Sequence, residues 1–91
     1  MAIVFVFEPK SMNRDQYHRL LAKLDEAGIR EQPGRSFHVC FGSGDKLRVL
    51  DVWDSEEALM ASFGEGILPV LQEVGIEALP PEILPVEHIL S

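Results

Sequence analysis

The 91-residue sequence contains one cysteine, Cys40, and this scarcity excludes several classes of protein. A single thiol allows neither an internal disulfide nor a paired-cysteine metal motif. Proteins without disulfides are typical of reducing compartments, so the composition favours a cytoplasmic location. The three histidines lack the short spacings of metal ligands, and we expect no structural metal site.

Long apolar runs are also missing. The apolar start of the chain is cut short by Glu8, Pro9 and Lys10 and has no basic segment before it, which is not the pattern of a secretory signal. No apolar stretch approaches the length that crosses a bilayer. The sequence therefore predicts a soluble protein without a membrane partner.

Basic residues are few, and they are unevenly placed. Eight basic residues face fifteen acidic ones, for a net charge of −7, and no basic residue follows Arg48. Nucleic-acid binding requires a basic surface, so no nucleic-acid partner is expected. The acidic half admits two interpretations: a solvated face that keeps the protein in solution, or a surface complementary to the basic half of a second subunit.

The patterns that are present predict one α+β domain spanning residues 1–91. Ser11 or Asn13 can cap a first helix, whose apolar stripe runs from Tyr17 through Leu20, Leu21 and Leu24 to Ala27. Gly28 ends that helix. The remaining predicted elements are strands at 3–7, 36–41, 46–53 and 82–90, with a second helix from 55 to 63 that is interrupted at 64–66 and continues to Gly75.

The predicted element order is β-α-β-β-α-β, which is typical of the ferredoxin-like fold with an antiparallel four-stranded sheet. Pro85 cannot donate a hydrogen bond to a neighbouring strand, so the last strand should lie at a sheet edge. In the ferredoxin-like fold the fourth strand does lie at an edge.

Two helices can cover only one face of such a sheet, whereas the first strand is apolar at every position. The second strand would be another edge, with no lysine or proline to prevent pairing. We therefore predict a homodimer in which two sheets stack face to face.

The β-α-β-β-α-β order, the chain length and the junction Val52-Trp-Asp-Ser-Glu-Glu57 resemble the dimeric α/β barrel superfamily. This superfamily includes antibiotic-biosynthesis monooxygenases, haem-degrading oxygenases, muconolactone isomerases and stress-responsive proteins. The resemblance implies a dimeric barrel that binds a small molecule, with monooxygenase-like or isomerase-like activity. The alternatives are a non-catalytic ligand-binding or stress-associated dimer, and a regulatory module acting through its dimer surface.

The resemblance does not extend to haem chemistry. Haem-degrading members carry a ligating histidine on the second helix, where this chain has Ala61 and Ser62, and the first strand has no asparagine. No cofactor is expected.

A tight hairpin at 42–45 would place Phe41 opposite Lys46 and His38 opposite Val49. Strand alternation then gives two faces. One face carries Ser36, His38, Cys40, Val49, Asp51 and Trp53, and the other carries Phe37, Val39, Phe41, Arg48, Leu50 and Val52. The aromatic and aliphatic set is expected to face the helices, so the polar set should line the dimer interior.

On the polar face, His38 is the candidate catalytic residue, because histidine can act as acid or base near neutral pH. Asp51 and Trp53 are candidates for substrate binding, and the resemblance implies a tryptophan that faces the cavity at the position of Trp53. His38 and Asp51 could instead only satisfy each other across the hairpin. Cys40 is expected to be a small buried apolar residue, and the face occupied by His88 stays open.

Overall fold

The computed structural model describes residues 1–29 and 31–89, with residue 65 described by its backbone alone. In this part of the chain, four strands form one sheet, and the helices pack on one of its faces. The elements in chain order are β1 (Ile3–Phe7), α1 (Arg14–Glu26), β2 (Arg35–Phe41), β3 (Arg48–Trp53), α2 (Glu56–Ser62), a π-helical turn (Phe63–Ile67), α3 (Leu68–Glu73) and β4 (Glu82–Pro85).

The strand order is β2-β3-β1-β4, and the paired strands are antiparallel. This order confirms the predicted ferredoxin-like α+β fold. Pro85 lies opposite Ile3 on the edge strand β4, where its missing donor leaves no neighbouring strand unpaired. β4 is shorter than predicted, because it ends at Pro85, opposite the first residue of β1, Ile3. One further hydrogen bond runs from the Val86 N–H to the Ala2 carbonyl. The predicted strand end at residue 90 lies outside the described residues.

α1 begins and ends as its sequence predicts. The Asn13 side chain accepts a hydrogen bond from the Gln16 backbone, and the Gln16 side chain accepts one from the Asn13 backbone. This reciprocal capping box satisfies two backbone donors that would otherwise lack a partner. Gly28 follows the helix with φ of +72°, which is unfavourable for residues that carry a Cβ. Leu20 and Leu24 are the buried residues of the stripe.

The second helical region continues through the predicted interruption. Between α2 and α3 the chain widens into a π-helical turn, in which the Leu68 N–H donates to the Phe63 carbonyl five residues earlier. Pro69 lacks an N–H and cannot donate a hydrogen bond within a regular α-helix. The wider π-helical turn lies directly before it. The turn brings Phe63 and Ile67 toward the sheet.

The β2–β3 register differs from the prediction by two residues. Phe41 lies opposite Arg48 rather than Lys46, and His38 lies opposite Asp51 rather than Val49. The loop is wider because its backbone bonds to Met12. The Met12 N–H donates to the Asp45 carbonyl, and the Leu47 N–H donates to the Met12 carbonyl. A shift of two residues preserves the faces, since side chains alternate with a period of two.

The polar face of the hairpin lies under the helices, opposite to the prediction. Partners in an antiparallel ladder share a face, and Phe5 of β1, which is 3% exposed, lies opposite Asp51. The buried rings of β1 therefore bring the polar set, except Ser36, under the helices. The second face remains uncovered in this chain; it is called the open face and comprises Val4, Val6, Phe37, Val39, Leu50, Val52 and Leu84.

The core lies between the sheet and the helices. Its largest fully buried side chains are Met12, Trp53, Leu59 and Leu71. No helix within residues 1–29 and 31–89 is both long and apolar enough to cross a membrane.

Candidate functional site

A histidine and an aspartate lie side by side on the helix-facing side of the sheet. His38 on the edge strand β2 is directly opposite Asp51 on β3, and its Nδ1 is 2.5 Å from the Asp51 Oδ1. Asp51 is buried, whereas the His38 side chain is 27% exposed. The pair therefore has a buried carboxylate on its inner side and an imidazole that reaches toward solvent.

The second ring nitrogen of His38 contacts helix α1. The Tyr17 hydroxyl is 2.7 Å from Nε2 of His38. Tyr17 lies in the first turns of α1, on the apolar stripe that faces the sheet. The rings of Tyr17 and His38 are nearly parallel, with 11° between their planes and 6.2 Å between their centroids.

With Asp51 ionised and His38 neutral, the chemistry of these three groups gives the direction of both hydrogen bonds. An ionised carboxylate only accepts, so Nδ1 of His38 carries the proton and donates to Asp51. In the neutral imidazole, Nε2 then holds the lone pair and accepts from the Tyr17 hydroxyl. Asp51 therefore holds His38 in the tautomer whose basic nitrogen points away from the sheet.

A small cavity adjoins this chain of contacts. Its volume is about 50 Å³, and its wall includes Tyr17, Arg35, His38 and Asp51. The rest of the wall is apolar and comes from β1, β3, α1, the π-helical turn and α3, together with Met12. Phe63 of the turn packs against the rings of Phe5 and Phe7, with centroid separations of 5.2 and 5.9 Å. The cavity thus combines one polar end with an aromatic and aliphatic interior, as is common for small-molecule sites.

Arg35 reaches the cavity through a bulge in β2. The register shifts between Arg35 and Phe37, so Ser36 is an extra residue and Arg35 pairs with Trp53. The Arg35 guanidinium lies 6.0 Å from the centre of the Trp53 ring, at the outer limit of a cation–π contact. The predicted place of Ser36 on the polar face is therefore wrong, and Arg35 takes it, because the bulge reverses the alternation beyond this point.

Trp53 shares a face with Asp51 but does not form part of the cavity wall. The side chain is fully buried, between Ile3 of β1 and Arg35 of β2 in the ladder. Its indole N–H finds no acceptor among the described residues. The structure therefore brings His38 and Asp51 together and places Trp53 beside them in the core.

Cys40 and His88 do not line this cavity. Burial raises the pKa of the half-buried Cys40 thiol, which keeps the less reactive protonated form dominant at neutral pH. No cluster of three metal-ligating side chains occurs within residues 1–29 and 31–89. His88 lies beyond β4 and is exposed.

Sequence reasoning missed two polar residues of the cavity wall. Tyr17 was counted only as part of an apolar helix stripe, although a tyrosine on a buried stripe requires a partner for its hydroxyl, and that requirement was the available signal. Arg35 precedes the strand predicted at 36–41, and no sequence signal marks the bulge that turns it inward.

Comparison with known proteins supports the fold. No family model matches the sequence, and no curated protein matches it. Among solved structures, the chain is similar to SnoaB, a cofactor-independent oxygenase from Streptomyces nogalater, with a TM-score of 0.69, 18% identity, and coverage of 98% of this chain and 96% of that chain.

Two further structures show the range of proteins with this fold. One is a monooxygenase from the gene ActVA-Orf6 of Streptomyces coelicolor in complex with nanaomycin D, with a TM-score of 0.55, 22% identity, and coverage of 99% of this chain and 91% of that chain. The other is NE2512, a protein of unknown function from Nitrosomonas europaea, with a TM-score of 0.61, 18% identity, and coverage of 99% and 90%. The likeness confirms the predicted ferredoxin-like β-α-β-β-α-β fold of the single chain.

Proposed function

We propose that this protein is an enzyme that binds a small hydroxylated aromatic molecule and removes its proton with His38. The observation that carries this proposal is the position of His38 in the cavity wall, with its Nδ1 2.5 Å from Asp51 and its Nε2 2.7 Å from the Tyr17 hydroxyl. A base held in one orientation beside an apolar cavity is suited to general base catalysis. Asp51, predicted as a substrate-binding residue, is better placed to orient His38.

The proposed step is a proton transfer from the ligand hydroxyl to His38. The ligand O–H bond breaks, the His38 Nε2–H bond forms, and the positive imidazolium is stabilised by the Asp51 carboxylate. The ligand is left as an electron-rich anion. Return of the proton to another ligand atom would complete an isomerisation, and transfer of electrons from the anion to dioxygen would begin an oxygenation. The fold shared with a cofactor-independent oxygenase supports the second course.

The apolar interior supports an aromatic ligand rather than a polar one. Phe5, Phe7 and Phe63 present ring surfaces to the cavity. Arg35 lines the cavity, and its guanidinium lies 6.0 Å from the centre of the Trp53 ring. Trp53 would therefore respond to a ligand that moves Arg35. Direct stacking of Trp53 on the ligand, as the resemblance implied, would require the neighbouring side chains to move.

We also propose a homodimer formed through the open face. Phe37 is 53% exposed, Val39 37% and Leu84 50%, and these residues share the face with the second set of β1 side chains. A second copy offers the same apolar surface and can cover it by two-fold symmetry. A cytoplasmic location is proposed on the single, half-buried cysteine.

The test compares phenol with anisole, the methyl ether that cannot donate a proton. Calorimetric titration of the wild-type protein should show tighter binding of phenol, because only phenol can donate to Nε2. Phenol should bind about tenfold more tightly than anisole, the value of one hydrogen bond to a basic group, and His38→Ala should abolish this preference. His88→Ala, at an exposed position beyond β4, is the matched control and should keep the wild-type preference for phenol.

Activity is measured separately, as dioxygen consumption in the presence of hydroquinone. Consumption above the protein-free rate that His38→Ala abolishes would support an oxygenase. Phenol binding without such consumption would favour the non-catalytic ligand-binding dimer. Equal binding of phenol and anisole would contradict the role given to His38.

A further inference from the structure

The basic atom of His38 is already occupied. The Tyr17 hydroxyl is 2.7 Å from Nε2, so no ligand hydroxyl can reach that nitrogen while Tyr17 stays in place. Tyr17 is itself a phenol, the same chemical group that the proposed function assigns to the ligand. Its ring lies nearly parallel to the imidazole, with 11° between the planes.

The cavity is also too small for a ring as it stands. Its volume is about 50 Å³, whereas an engineered cavity that binds benzene measures about 150 Å³. The missing space must come from a side chain that moves. Among the polar wall residues, Tyr17 is the one that carries a phenol ring. It is half-buried and lies in the first turns of α1, next to solvent-exposed residues of the same helix.

We propose that Tyr17 is an internal competitor that occupies the ligand's place and swings outward when a phenolic ligand enters. This inference rests on the proposed function, because it takes Nε2 of His38 as the atom that the ligand binds. Departure of Tyr17 frees both the nitrogen and the volume of one phenol ring. The entering ring then lies nearly parallel to the imidazole and donates its hydroxyl to His38.

The competition makes Tyr17 a specificity-determining residue. A ligand must offset the hydrogen bond between Tyr17 and His38 that it breaks. Its apparent affinity is therefore the intrinsic affinity multiplied by the fraction of molecules in which Tyr17 is outward. A ligand without a hydroxyl leaves Nε2 unpaired and is rejected. A phenol whose hydroxyl is a stronger donor than that of 4-methylphenol, the free tyrosine side chain, is preferred.

A double-mutant cycle with phenol as the probe tests this competition. Tyr17→Phe keeps the ring but removes the hydrogen bond to His38, and it should tighten phenol binding about fivefold to tenfold, the value of one broken hydrogen bond. In the His38→Ala background there is no such bond to break, and the same substitution should leave phenol affinity unchanged. A change in core volume alone would act equally in both backgrounds.

The movement of Tyr17 can be observed directly, because the chain contains one tyrosine. Incorporation of 3-fluorotyrosine gives one fluorine NMR resonance. Saturating phenol should move that resonance to the position found in the unfolded chain, where the ring is solvated. Met60→Ala is the matched control variant, since Met60 is exposed and does not line the cavity, and the fluorine resonance of this variant should respond to phenol as in the wild-type protein.

The outcomes separate this inference from the proposed function. If Tyr17→Phe weakens phenol binding or leaves it unchanged while His38→Ala abolishes the preference for phenol over anisole, the competition is wrong and the role of His38 stands. A fluorine resonance that does not move at saturating phenol also overturns the competition. Absence of phenol binding to both the wild-type protein and Tyr17→Phe overturns both proposals.

Discussion

Asp51 lies directly opposite His38 in the β2–β3 ladder, with 2.5 Å between its Oδ1 and the Nδ1 of His38. Ladder partners on one face are held at a fixed separation by the backbone, so the two side chains meet without help from a flexible loop. Of the two, only His38 retains appreciable exposure, which leaves Asp51 as the inner partner that orients it. The site therefore rests on the register of one strand pair.

Substitution of Asp51 by Asn should disturb the tautomer of His38. An amide can donate as well as accept, so the preference for a proton on Nδ1 is weakened. We expect the preference for phenol over anisole to fall about threefold to tenfold, because part of the His38 population no longer presents a lone pair at Nε2. Nitrogen NMR of the imidazole should show a mixed tautomer. Asp54→Asn, at an exposed position, should change neither measurement; an unchanged tautomer in Asp51→Asn would contradict the role given to Asp51.

The open face should mediate dimerisation. Light scattering of the wild-type protein should give twice the 10.2 kDa chain mass. Val39→Lys places a charge on this face and should yield a folded monomer, since burial of an unpaired charge costs about 3 kcal/mol or more. Met60→Lys is the control, because Met60 is 50% exposed on α2, away from the open face. A cooperatively folded wild-type monomer would end the dimer proposal.

The apolar stripe of α1 should dominate its contribution to stability. Leu24 is 5% exposed, and Leu24→Ala should lower the free energy of unfolding by about 2–5 kcal/mol. Leu21 lies on the same predicted stripe but is half-buried, so Leu21→Ala should lower the free energy of unfolding by less. Arg14→Ala, at an exposed position, should shift stability by about 0.5 kcal/mol or less. Urea denaturation gives all three values, and equal shifts would mean that the helix face is wrongly assigned.

The Cys40 thiol should react slowly. Burial raises its pKa, so the thiolate fraction at neutral pH is lower than that of a free cysteine, and the thiolate is the reactive form. Modification by a thiol-specific disulfide reagent should be slower than that of free cysteine at neutral pH. The rate should rise again above the raised pKa. Unfolding in urea should restore the rate of an ordinary cysteine, which serves as the control; a fast reaction in the folded protein would contradict this prediction.

Much of the fold can be predicted from the sequence because it depends on local patterns. The capping box at Asn13, the end of α1 at Gly28 and the edge position of Pro85 each follow from the backbone chemistry of one or two residues. The grouping of His38 with Asp51 on one face also follows locally, since strand alternation is unaffected by a register shift of two residues.

The tertiary structure decided which side of the sheet this pair faces and what lies against it. Alternation defines two faces but does not say which one the helices cover; the buried rings of β1 and their pairing with β3 settle that. The bulge that turns Arg35 inward depends on pairing with β3, and the contact between Tyr17 and His38 joins residues 21 positions apart. Because such contacts arise only when distant elements pack together, no local pattern in the chain encodes them.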